Sequence, residues 1–380
     1  MITSEEFFDK LRFQLEKKLP FVAYKKPSTP TGEIKAFLQS NSETYKILNF
    51  SESGFVFAPF AANKPKFLIP AAQSEFLETN IDLSEIDKDF RNSSIAEIEV
   101  ETARKQHVAL VEKGIEQIKK GIFKKVVLSR RESVKLQGRD SIKIFQELLQ
   151  LYPTALVYIW FHPETGLWLG ATPETLLEIE RNRFKTMALA GTVKYAGEME
   201  VVWGQKEKQE QQFVTDSIME NLKPFVEKIE KSHPFTAKAG NLLHLKTNIS
   251  GFLYPESQDL GKLISVIHPT PAICGLPKEP AKNFILENEN YDREYYSGFL
   301  GELNLKKEIK RSGNRRNQEN QAYASIITTS NLFVNLRCMK FEEKQAVLFV
   351  GGGITKDSDP EAEWVETQNK AETMKAVLLK

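Results

Sequence analysis

Cysteine is nearly absent from the 380 residues: only Cys274 and Cys338 occur, both in apolar surroundings. Two thiols cannot build a disulfide framework, so they read as half-buried structural side chains in a reducing compartment. An excess of charge of one sign is missing too. The 52 basic and 51 acidic residues leave a net +1, which gives no global reason to expect nucleic acid or an anionic membrane surface as partner. No apolar run approaches the ~20 residues of a membrane span. The opening MITSEEFFDKL is acidic where a secretory leader is basic. A cytoplasmic protein that binds neither nucleic acid nor membrane is the expectation. The chain has no Walker loop, zinc-spaced Cys/His set, nucleophile elbow or His pair at helical ligand spacing, so the commonest cofactor and hydrolase signatures are excluded. No internal repeat has a fixed period.

What is present is an ordinary globular composition, 41% apolar and 27% charged, enough for one large core or two ordinary domains. Thr3 and Glu6 have capping-box spacing and predict a helix over 4–18. Short strands follow at FVAYKK, TYKILNF, GFVFAPF and KFLIPA. From about residue 100, Val108, Val111, Ile115 and Ile118 form one helical stripe that Gly121 can stop. KKVVLSRRESV then reads as a strand, and ALVYIWFHP, LWLGATP, TLLEIE and RFKTMALAGTV follow as a meander. A helix over 206–231, a strand at NLLHLKT and a helix over 258–267 come next. Strands at YYSGFLGELN, NLFVNLRCMKF and QAVLFVGGG precede a final helix. This order favours α+β with large antiparallel sheets over a doubly wound fold. The pattern shifts near residue 95 without a linker, separating a β-rich part, 1–95, from 96–380, with which it can share a core. The polar stretch 306–325 reads as a solvated hairpin loop.

Two acidic pairs have the same spacing. PEAEWVET places Glu363 and Glu366 at the start of the last helix, with Lys370 one turn on, and QKEKQEQQ places Glu207 and Glu210 at the start of another. Each pair alone is accounted for by acidic residues complementing a helix dipole. Together, facing each other, they would need a cation, and oxygen ligands suit magnesium. Gly351, Gly352 and Gly353 read as a strand end of three flexible residues whose N–H groups can converge on a carboxylate, or as a plain turn. Lys125 begins a strand of core residues, where a desolvated lysine can act as a general base or simply snorkel at the sheet edge. Glu174, after Pro173 between two strands, can be a rigidly held general acid or a turn cap. Arg337, in an otherwise apolar strand, needs a carboxylate, either internal or from a ligand. His244 reads as a hydrogen-bonded core histidine or a catalytic one. The set suits an anionic small molecule with two carboxylates, one met by magnesium and the other by Arg337 and the glycines.

In order, KVVLSR, GATPETLL, ALAGT, LLHLKT, HPTPAICG, REYYSGFLG, LFVNLRCMKF and GGGITKDSDPEAEWVET resemble the chorismate-utilising enzymes, and among them isochorismate synthases. The resemblance covers about residues 100–378; residues 1–95 match loosely, as that part of the family varies. It implies two large packed antiparallel sheets, helices outside, and a site in a cleft. It implies that Lys125 activates water for attack at chorismate position 2 and that Glu174 protonates the departing 4-hydroxyl. Glu210 and Glu366 would hold magnesium, with Glu207 and Glu363 assisting through water. Arg337, the glycines and Tyr296 would meet the pyruvyl carboxylate, and Lys370 the ring carboxylate beside the metal. His244 would lie near the ring hydroxyl, and Thr192 and Ala272 would line the pocket. Anthranilate synthases lack a lysine at the position of Lys125; aminodeoxychorismate synthases have one, so the wider motif pattern separates those. A salicylate synthase, which goes on to eliminate pyruvate, is the close rival, since Tyr296 and Leu336 suit that step as well. A catalytically silent binding protein would need a broken acid, base or ligand, and each is present. A monomer feeding menaquinone or siderophore biosynthesis is expected. The polar insertion and QEQQ, in place of a histidine-flanked glutamate, depart from the family pattern.

Overall fold

The computed structural model describes residues 2–27, 32–81, 97–136, 138–195, 197–240, 242–257, 259–309 and 325–378. Seven α-helices occur among them: α1 (Ser4–Glu16), α2 (Glu97–Lys119), α3 (Ser141–Leu151), α4 (Gln205–Leu222), α5 (Leu260–Ile267), α6 (Lys278–Asn288) and α7 (Pro360–Leu378). Their starts are chemically marked. The side chains of Thr3, Asp140 and Asp259 accept the free first-turn amides of α1, α3 and α5. α4 stops nine residues short of the expected end at 231. Pro224 removes a donor and bars continuation, and Val226–Lys231 is a strand instead.

The strands form two antiparallel sheets, one of nine strands and one of ten. The first runs, edge to edge, through Gly275–Leu276, Lys125–Lys135, Gln345–Ile354, Cys338–Phe341, Gly166–Thr172, Leu156–His162, Phe21–Lys25, Glu33–Gln39 and Ser74–Asn80. The second runs through Val226–Lys231, Leu242–Leu253, Arg183–Lys194, Thr175–Glu180, Ser325–Val334, Phe299–Ile309, Gly54–Ala58, Phe67–Pro70 and Tyr45–Lys46, with Phe235–Ala239 also on Leu242–Leu253. Strands from the first 95 residues extend both sheets. Phe21 pairs with Phe161, and Ala58 with Phe299. The expected boundary near 95 falls outside the described residues, as does most of the polar stretch 306–325, whose first residues prolong Phe299–Ile309.

Between the sheets lies an aromatic layer that includes Tyr24, Phe57, Trp160, Trp168, Tyr295 and Phe349. Phe57 and Tyr295 stack at 4.3 Å and 11°. Each large side chain buried there stabilises the sandwich by ~1.5–3 kcal/mol, with aromatic geometry adding ~0.5–1.5 kcal/mol per pair. α1, α3 and α7 cover the outer face of the nine-stranded sheet through Phe8, Phe145, Leu148 and Met374. α4 and α5 cover the other sheet through Val214, Ile218, Leu263 and Ile264. No helix among the described residues is long and apolar enough to cross a membrane.

NLFVNLRCMKF is not one strand. Ser325–Val334 lies in the ten-stranded sheet and Cys338–Phe341 in the other, so residues 335–337 carry the chain across. LWLGATPETLLEIE crosses the same way, with Pro173 and Glu174 between Gly166–Thr172 and Thr175–Glu180. Proline at 173 suits a break in pairing, because it has no amide to give to a ladder.

Candidate active site

The two crossings lie side by side and are bonded to each other. The Val334 amide donates to Glu174 O at 3.0 Å, the Ala171 amide donates to Arg337 O at 3.0 Å, and Thr172 Oγ1 donates to Val334 O at 2.6 Å. Glu174 and Arg337 are thereby fixed by backbone at the floor of one cavity of about 130 Å³. Arg337 has φ +49°, a left-handed conformation uncommon outside glycine. Glu174 is 3% exposed. Burial pushes its carboxyl up to about 8, against the pull of Lys125 and Arg337. At neutral pH it therefore carries its proton.

Burial lowers the Arg337 guanidinium to about 10. Its Nη1 donates to Ala239 O at 3.0 Å and its Nη2 to His244 Nε2, and no carboxylate forms an ion pair with it among the described residues. His244 Nδ1 faces Gly191 O at 2.8 Å. Since a carbonyl only accepts, the ring proton sits on Nδ1 and Nε2 receives Arg337. Burial, then Arg337, holds this histidine well below its usual pKa, so it is neutral. It is a hydrogen-bonded histidine that orients Arg337, and the internal salt bridge open to Arg337 from sequence is not formed. A half-buried cation held on neutral acceptors is suited to an anionic ligand.

Lys125 opens its strand, 2% exposed, with Nζ 3.8 Å from Glu210 Oε2. The glycines opposite are not a turn. Gly351, Gly352 and Gly353 continue the ladder against Ser129, Leu128 and Val127, while the neighbouring strand ends at Cys338 opposite Phe349 and leaves their other edge unpaired. Their main contribution is the side chain they lack. A Cβ on Gly353 would stand 2.9 Å from Lys125 Cε, and one on Gly351 3.0 Å from Tyr296 Oη. Gly351 O accepts from Lys370 Nζ at 2.9 Å.

α4 and α7 bring the acidic pairs face to face. Lys206 Nζ bonds Glu363 Oε1 at 2.8 Å, and Lys370 Nζ bonds Glu366 Oε1 at 2.6 Å. Burial raises Glu210, opposed by Lys125 and Lys206. Against the upward push of burial, Lys370, Lys206 and Lys125 hold Glu366 below the usual carboxylate range. Glu207 turns back over Gly204 at the start of its own helix, 2.5 Å from where a Cβ there would lie. As placed, no three acidic, His or Cys side chains among the described residues converge closely enough to hold an ion. The donor set nevertheless fits a hard cation. Glu363 Oε2 is buried without a hydrogen-bond partner. It and Glu366 Oε1 border the space left by the missing Cβ of Gly352, at 3.2 and 3.6 Å, and Glu210 Oε2 borders that of Gly353 at 3.5 Å.

The residues singled out from sequence line the cavity, except Gly352 and Glu363, which lie behind it. Thr192 Oγ1 sits 3.4 Å from His244 Nδ1, and Ala272 and Tyr296 form another part of the wall. Lys206 was missed. Its place four residues before Glu210 is a helical pairing signal, but one that surface helices show as often.

A family model described as chorismate binding enzyme matches residues 63–379. Over 272 residues the chain is 29% identical to isochorismate synthase MenF of Pasteurella multocida, covering 69% of this chain and 58% of that protein. Over 261 residues it is 29% identical to isochorismate synthase EntC of Escherichia coli K12, covering 66% and 61%. The chain thus spans about three fifths of the length of these relatives, as the 58% and 61% indicate. The structure of DhbC from Bacillus anthracis shares the fold, with TM-score 0.75 at 23% identity over 97% of this chain and 99% of that one. With the two packed sheets, the paired crossings and a family match over most of its length, the chain belongs to the chorismate binding enzyme family.

Proposed function

We propose that the protein is an isochorismate synthase, converting chorismate to isochorismate. The observation that carries this reading is the cavity that joins a buried lysine, a carboxyl kept protonated to about pH 8 and a guanidinium without a carboxylate partner. Lys125 takes a proton from a water that attacks ring position 2. Glu174 gives its proton to the 4-hydroxyl, which leaves as water while the double bonds shift. One water enters and one departs, so the reaction is an isomerisation. Arg337, oriented by His244 and Ala239, binds a substrate carboxylate. Glu210 and Glu366, with Glu363 behind them, would hold magnesium, which when bound supplies positive charge to the other carboxylate. Lys370 stands beside that position.

Incubation with chorismate and magnesium, followed by chromatography of the products, tests the reading. Isochorismate is expected, and its loss in Lys125→Ala. Unchanged turnover in that variant would remove Lys125 from the mechanism. Pyruvate and fluorescent salicylate in the same tube would redirect the assignment to salicylate synthase. The menaquinone or siderophore pathway is the expected setting, in the cytoplasm.

A further inference from the structure

The strand that begins with Lys125 has a second face. Side chains alternate along it, so Lys125 and Val127 face the cavity, whereas Leu128, Arg130 and Glu132 face α2 and α7. Arg130 is 7% exposed. Its Nε donates to Thr367 Oγ1 at 2.8 Å, its Nη1 donates to Glu132 Oε2 at 2.8 Å, and its guanidinium lies 4.3 Å from the Trp364 ring centroid. Thr367 is fully buried and in turn donates to Trp364 O at 2.8 Å. Trp364 follows directly after Glu363 on α7, and Thr367 directly after Glu366. We infer that Arg130 is the positioning residue for the metal-binding face of α7, setting Glu363 and Glu366 relative to Lys125.

Apolar packing alone leaves a helix free to rotate and slide by fractions of an ångström. A planar fork bonded to one residue and stacked on another three positions earlier fixes both rotation and register. Glu132, two residues on, holds Lys375 near the far end of α7 at 2.5 Å, so one strand grips the helix at both ends. His107 of α2 closes the other side, its ring 6.1 Å from Trp364. Arg130 lines no part of the active-site cavity and bonds neither Glu363 nor Glu366, and its action runs through α7. Displacement of a reacting group by ~1 Å can cost about 10²-fold in rate.

The inference rests on the proposed magnesium-dependent reaction. Its test uses the full chain and magnesium alone, titrated calorimetrically, beside chorismate turnover and thermal melting. Thr367→Val keeps the volume and deletes the acceptor for Nε, and Arg130→Lys keeps the charge and deletes the fork. Both are expected to raise the magnesium dissociation constant about tenfold and to lower kcat, with Thr367→Ser restoring wild-type values. Variants that melt earlier but bind magnesium as wild type does would reduce Arg130 to a packing residue and overturn the inference. Wild-type protein that binds no magnesium overturns it together with the functional reading. Protein that binds magnesium but leaves chorismate unchanged sinks the functional reading alone, and the comparison of dissociation constants still decides the role of Arg130.

Discussion

Glu174 and Arg337 occupy neighbouring crossings between the two sheets, each anchored by the backbone of the other's connection. The acid and the cation are therefore held by rigid ladders on both sides, and each is aimed into the same cavity without the mobility of a surface loop. Their interaction is mutual: the arginine pulls the raised carboxyl down, and the carboxyl lifts the lowered guanidinium.

If Glu174 is the general acid, kcat/KM falls as pH rises through about 8, where its carboxyl loses the proton. Glu174→Gln should lower kcat by about 10²–10⁴-fold and abolish that falling limb. Stability also falls as pH rises, over a lower range. The folded carboxyl titrates above its unfolded value, so the unfolded state binds fewer protons, and stability is lost from the unfolded pKa up to about 8. Glu174→Gln should melt higher than wild type at pH 8 and lose that advantage below pH 4, as melting curves at the two pH values would reveal.

Arg337 carries a charge that the fold does not neutralise. Arg337→Ala should raise the KM for chorismate by about 10–100-fold, the equivalent of one charge-assisted hydrogen bond. Arg337→Lys should not restore it, since an ammonium cannot span Ala239 O and His244 Nε2 in one plane. Steady-state kinetics with full recovery by lysine would refute the fork.

Glu210 and Glu366 belong to different helices and have different neighbours, yet both line one cavity. Glu210→Gln and Glu366→Gln should weaken magnesium binding to a similar extent in calorimetry. Chelation by EDTA should stop turnover, and magnesium should restore it. Two unrelated helix starts would leave magnesium binding untouched.

Gly353→Ala tests the room left for Lys125 without replacing a charged group. Its backbone is not in the left-handed region, so alanine costs no strain, but the new Cβ would meet Lys125 Cε at 2.9 Å. The variant should melt close to wild type while kcat falls, because the lysine must shift. Equal kcat would mean that Lys125 has room to spare.

Local chemistry made much of this legible. Spacing at i,i+3 marked Glu207, Glu210, Glu363 and Glu366, and caps such as Thr3 marked helix starts, because both depend on neighbours within one turn. Lys125 and Glu174 were legible as buried polar groups at strand ends. The end of α4 differs from expectation because polar residues 226–231 suit either a helix or an exposed edge strand, and Pro224 decides for the strand. The glycine run is the end of a strand, one of the two forms its sequence allows, because glycine signals missing side chains and flexible backbone alike.

The sequence by itself determined most element types, the antiparallel α+β class and the list of residues able to carry acid, base and ligand chemistry, since these follow from periodicity, burial and side-chain type. Tertiary structure alone decided that Arg337 has His244 and Ala239 instead of a carboxylate, that Lys206 bridges the two acidic helices, and that Arg130 grips α7. Those partners lie 93, 98, 157 and 237 residues apart. No local pattern encodes such pairings, which arise only when two sheets close on a shared core and leave each buried polar group to find the acceptor within reach.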